Sequence, residues 1–325
     1  MRRRRAMLAA LSTAGTAAVL PARAQQGWPS RPVRVLVPYP PGSGTDIVGR
    51  ILAERLQAAW SQPVVVENRP GGGGTIGTEA GARAAPDGQT FLISDVGPLA
   101  MAPSLYARLP YDPVRDFEPV GVVARLPFVL VVHPAVPART VTEFVALAKA
   151  KPSGLAYASV GNGSATHLAM ELFCTSEGIE LTHVPYRGSA PALNDLVAGQ
   201  VAAMFVNTAS SADLIREGRL RALAVGSRAP SPVLPGVPTL SQALNKGMEA
   251  GVWFGLLAPK GTDGEIVRRV SADAARALDD PGVRAKLEAL GAEAAASGPN
   301  EFAAFIAAER DRWAPVVRAS GARID

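Results

Sequence analysis

The chain has 325 residues, 48% of them hydrophobic and 19% charged, which excludes a disordered chain and allows a core large enough for two domains. Its formal charge of +5, from 33 Lys and Arg against 28 Asp and Glu, points at first to nucleic acid or an anionic membrane. Five of those cations, Arg2, Arg3, Arg4, Arg5 and Arg23, lie in the first 24 residues, which hold no acid; the remainder balances 28 against 28, and that excludes the overall basic field of a nonspecific DNA binder.

Arg2–Arg5 form a basic start, residues 6–20 an apolar stretch, and Ala22-Arg23-Ala24 a small-x-small site. Residues 1–24 are therefore predicted to be a signal peptide cleaved after Ala24, and the protein is expected in the periplasm. The arginine pairs are compatible with twin-arginine export as well as the general route. Nothing later reaches the roughly 18 apolar residues of a membrane span. The single cysteine, Cys174, excludes an intramolecular disulfide and is expected to be a buried thiol.

From there β-prone runs alternate with helical patterns. Val33–Val37 reads as a strand and residues 38–44 as a loop. Ile47, Val48, Ile51, Leu52 and Leu56 then recur at helical spacing. Val64–Val66 is the next strand, so the unit is βαβ and its strands are expected to be parallel. Gly71–Gly74 open a further helix, and residues 91–93 form a strand. Residues 120–132 are a long β-prone stretch that Pro127 is expected to break. Thr140 and Glu143 read as a capping box. Strands are expected at 155–158, 181–184, 201–206 and 220–225, then an extended connection through Pro230, Pro232, Pro235 and Pro238. Residues 253–257 form a strand, two helices fill 263–290, and a last helix runs from about Pro299 to Ala319. The fold class is α/β, with helices on both sheet faces. Two crossings, near Pro127 and Ser227, place a second lobe (127–227) inside a discontinuous first lobe (25–126 and 228–325), with a cleft between them.

Much catalytic chemistry is missing. His133, His167 and His183 have no zinc-site spacing, so no metal is expected. The Gly42-Ser43-Gly44 segment lacks the third glycine of a dinucleotide loop, Gly71–Gly74 lack the Lys-Ser/Thr of a phosphate loop, and Ser164 lacks a nucleophile elbow. No cofactor is expected. A hydrolase assembled in space from Ser164 and His167 stays open as the alternative.

Two loops share one design. Tyr39-Pro40-Pro41-Gly42-Ser43-Gly44-Thr45-Asp46 and Ser159-Val160-Gly161-Asn162-Gly163-Ser164-Ala165-Thr166-His167 each join a strand to a helix, with glycines and hydroxyls at the helix start. Free N–H groups and the positive dipole end there favour an anion. Ordinary capping by Thr45 and Ser164 is the plain alternative. Tyr186 and Arg187 follow a third strand; Arg187 is a candidate partner for a carboxylate and Tyr186 for a pocket wall. Asn207 and Thr208, and Ser94 and Asp95, end further strands. Asp95 argues against a bare anion pocket unless it faces water or an amine.

These segments, with Glu67-Asn68-Arg69-Pro70-Gly71-Gly72-Gly73-Gly74-Thr75-Ile76-Gly77, His183-Val184-Pro185-Tyr186-Arg187-Gly188 and Gly255-Leu256-Leu257-Ala258-Pro259, together resemble the Bug family of periplasmic solute-binding proteins, receptors of tripartite tricarboxylate transporters. The resemblance implies a two-lobed type II periplasmic-binding-protein (Venus flytrap) fold and capture of a small carboxylated solute near the two helix starts. The expected partners are membrane transporter subunits or a sensor protein, with a sensing-only receptor as a further alternative; no nucleic acid and a monomeric state are expected. Ser43 stands where family members often carry a second glycine, and Ser241-Gln242-Ala243 replaces a usual Glu-x-Gly after Pro238-Thr239.

Overall fold

The computed structural model describes residues 27–324; the leader and its expected cleavage after Ala24 lie outside the described residues. The chain begins with β1 (Val33–Val37), α1 (Gly44–Trp60), β2 (Val64–Asn68), α2 (Thr75–Ala82), β3 (Thr90–Asp95) and a short α3 (Ala102–Leu105). The long β4 (Phe117–Val132) leads into α4 (Val141–Ala150), β5 (Ala156–Ser159), α5 (Ala165–Glu177), β6 (Thr182–Pro185), α6 (Ser189–Val197), β7 (Ala203–Asn207), α7 (Thr208–Arg216) and β8 (Arg221–Val225). The chain closes with α8 (Leu240–Leu244), β9 (Gly251–Pro259), α9 (Gly264–Leu278), α10 (Pro281–Glu288), β10 (Glu293–Ala294) and α11 (Pro299–Ala319).

The helices follow their sequence signals. In α1, Val48, Ile51, Leu52 and Leu56 turn one face into the core, and Ser61 in the left-handed region ends it. Ser43, not Thr45, caps its start, because the Ser43 side chain accepts the Asp46 N–H. In α4, Thr140 accepts the Glu143 N–H as expected, but the Glu143 carboxylate takes the amide of Arg139, one residue before the cap. The reciprocal box forms instead at Thr239 and Gln242.

The strands form two sheets that share β4. The first runs β2-β1-β3-β9-β4; the second sets β8 and β7 on either edge of the far half of β4 and continues through β5 to β6. The βαβ pairings are parallel, as expected. Both sheets are mixed, however, because β9 and β4 run against their neighbours. Pro127 does not break β4. It faces Gly251 at the last register position of the first sheet, and Phe128 begins the pairing with β7. A missing N–H is tolerated where a strand changes partners.

Helices cover both faces of each sheet. Helices α1, α9 and α10 close one apolar cluster on the first sheet, and α11 with the turn after β3 closes another. In the second half, α4, α5 and α8 pack on one face and α6 and α7 on the other. Leu240, Met248 and Ala250 belong to the same cluster as Phe144 and Phe173. After the expected crossing near Ser227, the proline-rich connection carries α8 onto α4, and the chain enters the first sheet as β9 at Gly251. At this joint Phe128 N–H donates to Ala250 O and Gly226 N–H to Phe128 O. A Cβ on Gly226 would stand 2.0 Å from Ala250 O, so only glycine fits.

Candidate functional site

A cleft of about 630 Å³ lies between the two sheets. On one side it is lined by the start of α1 and the end of β3; on the other by the β5–α5 loop, Ser189 at the start of α6 and Asn207 at the start of α7. Four helix N-termini thus converge on one space. This follows from the fold, since parallel strands of a βαβ unit all deliver their following helices at the same sheet edge.

On the first wall, Ser43, Gly44, Thr45, Tyr39 and Asp95 face the cleft. Asp95 is only 7% exposed. Its Oδ1 accepts the Tyr39 hydroxyl at 3.0 Å and the Gly97 N–H at 2.9 Å, and its Oδ2 accepts the Thr45 hydroxyl at 2.9 Å. Burial raises its pKa, against the pull of these three donors. The Tyr39 hydroxyl is held protonated by its own burial and by Asp95. Asp46, Gly42 and Pro41 do not line the space. The Asp46 carboxylate lies behind the loop, where it accepts from the Gly42 N–H, Arg50 and Asn68. Burial works to raise its pKa, but those bonds outweigh it and Asp46 titrates below its ordinary range. These bonds tie Asp46 into the loop.

On the second wall, Asn162, Gly163, Ser164 and Thr166 face the cleft, and Ser159 and His167 lie beneath it. Ser164 caps α5, its side chain accepting the His167 N–H while its hydroxyl donates to Gly161 O at 2.7 Å. His167 Nδ1 accepts the Gly163 N–H at 3.1 Å. Both groups are thus engaged with the loop backbone, and Ser164 and His167 do not assemble into the dyad a hydrolase needs. Ser159 meets His183 Nε2 at 2.7 Å, with both groups in the layer under the loop. The rings of Tyr157, His183 and His167 stack there, the two imidazoles 3.9 Å apart. Burial lowers both histidines to about 4, with His167 adding to the shift on His183. Cys174 lies deeper on α5 and is buried, as expected; burial pushes its thiol up to about 12.

Four further expected residues do not line the space. Arg187 is exposed and does not line it, and the Tyr186 hydroxyl donates to Asp195 at 2.7 Å while its ring packs on the second sheet's core. Ser94 is fully buried beside Thr78. Thr208 is buried with no partner for its hydroxyl among the described residues, while its neighbour Asn207 lines the cleft and caps α7. Sequence reasoning missed the apolar walls, Val96, Met101, Leu105, Leu126, Phe128, Val206, Val252 and Phe254, and the polar Ser189 and Tyr106. Apolar residues at strand ends read as core, so the sequence carried no signal for them; Ser189 was recoverable as the first residue of a predicted helix. A Cβ on Gly163 would lie 3.4 Å from Leu105 and 3.8 Å from Ile324, so the two walls touch at this rim.

Comparison with known proteins places these features in company. The sequence pattern of the TctC family, described as "Tripartite tricarboxylate transporter family receptor", matches residues 48–322. The chain is 41% identical to Protein BugT of Bordetella pertussis over 315 residues, covering 97% of this chain and 96% of that one. A solved R. palustris protein with adipate superposes with a TM-score of 0.75 at 37% identity, covering 90% of this chain and 98% of that one. MatC from Rhodopseudomonas palustris with bound malate gives 0.72 at 34%, covering 89% and 100%.

Proposed function

The chain belongs to the tripartite tricarboxylate transporter receptor family, a family of periplasmic solute-binding proteins of α/β Venus-flytrap fold, and from that premise we propose that it captures a small carboxylate in the cleft between its two sheets. One observation carries this reading. The first turns of α1, α5, α6 and α7 all open into the cleft, while among the described residues no Lys, Arg or His lines it. A carboxylate must then be held by backbone N–H groups, hydroxyls and helix dipoles, each helix end contributing about 0.3–1 kcal/mol and up to ~2 kcal/mol when partly buried. Helix α6 supports the reading further: Gly188 provides no side-chain cap, which leaves its first amides for a ligand.

The lobes of this receptor are residues 27–127 with 251–324, and residues 128–250. They close about the joint at Phe128, Gly226 and Ala250, with ligand favouring the closed state. The leader directs export and is cut after Ala24. The loaded receptor, a monomer, delivers its solute to the membrane subunits of a tripartite tricarboxylate transporter, or to a sensor. The relatives that carry adipate and malate support a carboxylate as ligand.

The test is a thermal-shift and calorimetric screen of mono- and dicarboxylates, amino acids and aromatic acids. A ligand that binds only the folded state raises Tm, by the equivalent of about 2.7 kcal/mol at a hundredfold excess over Kd. Binding should be lost in Gly44→Leu, whose side chain would enter the cleft beside Phe254, with the fold retained. Failure of every carboxylate to shift Tm removes the proposal.

A further inference from the structure

We propose that Asp95 restricts this cleft to ligands with a single carboxylate on an apolar body, and excludes a second anionic end. The inference rests on the carboxylate reading above and narrows it to a substrate class. Among the described residues Asp95 is the only charged one that lines the cleft, and no cation accompanies it there. Its three donors are the neutral hydroxyls of Tyr39 and Thr45 and the amide of Gly97. These donors favour the ionised carboxylate against burial, which raises its pKa, and being neutral they leave its charge uncompensated.

The two walls are electrostatically unlike. The start of α1 already has Asp46 in its first turn and Asp95 against Thr45. The starts of α5, α6 and α7 have no acidic residue in their first turns. A bound carboxylate is therefore favoured on the α5–α7 side, and the rest of the ligand extends toward Asp95. Between the two ends stand Leu126, Phe128, Val206, Val252 and Phe254, which suit methylene or aromatic groups. A second carboxylate brought to about 5 Å from Asp95 meets a repulsion on the order of a hundredfold in affinity, at the effective dielectric of partly buried sites. Oδ2 accepts only from Thr45 among the described residues, so a methyl, hydroxyl or ammonium end is compatible with it.

Paired acids of equal chain length test this: butyrate with succinate, hexanoate with adipate, octanoate with suberate. Kd is measured by calorimetry for the wild type and for Asp95→Asn, which removes the charge and keeps an acceptor for Gly97. The wild type should bind the monocarboxylate of the best-fitting pair at least tenfold more tightly, and Asp95→Asn should bring that ratio close to one. A wild-type dicarboxylate that binds as tightly as its partner overturns the proposal, as does an unchanged ratio in Asp95→Asn. The wild-type ratio requires no variant, so the proposal stays exposed to test even if Asp95→Asn does not fold. Absence of binding to all six acids, by contrast, removes the carboxylate reading itself and this inference with it.

Discussion

The β5–α5 loop rests on a histidine that must stay neutral, and this makes its stability depend on pH. His167 is 3% exposed, and its Nδ1 accepts the Gly163 N–H. The groups around it are the stacked rings of His183 and Tyr157 and the Glu171 carboxylate, 4.0 Å from Nε2. Burial lowers its pKa from about 6.5 in the unfolded chain to about 4. Between those values the unfolded state binds more protons than the folded one, so stability is complete above about pH 6.5 and falls as the pH drops toward 4. At pH 5 the unfolded state gains a factor of about 33 from protonation and the folded state about 1.1, a difference of about 2 kcal/mol. Urea denaturation followed by circular dichroism at pH 7 and pH 5 reads this in the wild type and in His167→Gln, whose side-chain oxygen still accepts from Gly163 but does not titrate. The wild type should lose about 2 kcal/mol more than the variant over that interval. Equal losses, within about 0.5 kcal/mol, would refute the assignment of His167 as a neutral strut for the loop.

Three further outcomes are expected. Thr45→Val removes one of three donors to buried Asp95 and should cost about 1.5–3 kcal/mol in a denaturant titration; an unchanged midpoint would show that Asp95 does not depend on this bond. Gly226→Ala sets a methyl against Ala250 O at the joint and should destabilise by about 1–3 kcal/mol of overpacking, seen as a drop in Tm of several degrees. Arg187→Ala should leave carboxylate affinity within twofold of the wild type, since the side chain is exposed and away from the cleft; a tenfold loss would place Arg187 on the ligand after all.

The two loops that line the cleft were legible because their chemistry is local. Ser43 and Ser164 cap the helices that follow them, and glycines such as Gly163, at φ +72, mark backbone that few other residues adopt. Arg187, which is exposed and does not line the cleft, shows the converse. A cation beside an aromatic residue after a strand suggests a carboxylate partner, but whether the side chain turns toward the cleft depends on packing that the local sequence does not encode. Tyr186 likewise spends its hydroxyl on Asp195, nine residues along on the next helix.

The sequence alone determined the α/β alternation, the charge neutrality that follows removal of the first 24 residues, and the helix starts able to receive an anion. Those properties depend on neighbours within a few positions, through capping, periodicity and glycine geometry. The tertiary structure decided which polar groups meet. It brought Thr45 and Tyr39 onto Asp95 across 50 and 56 positions, turned Asp46 and Tyr186 away from the cleft, and built apolar walls from Phe128 and Phe254 at the ends of strands that read as core. With no cation lining the cleft among the described residues and one carboxylate buried in its wall, the proposed anion capture would rest on oriented backbone dipoles, and only the folded chain aligns four helix starts on one space.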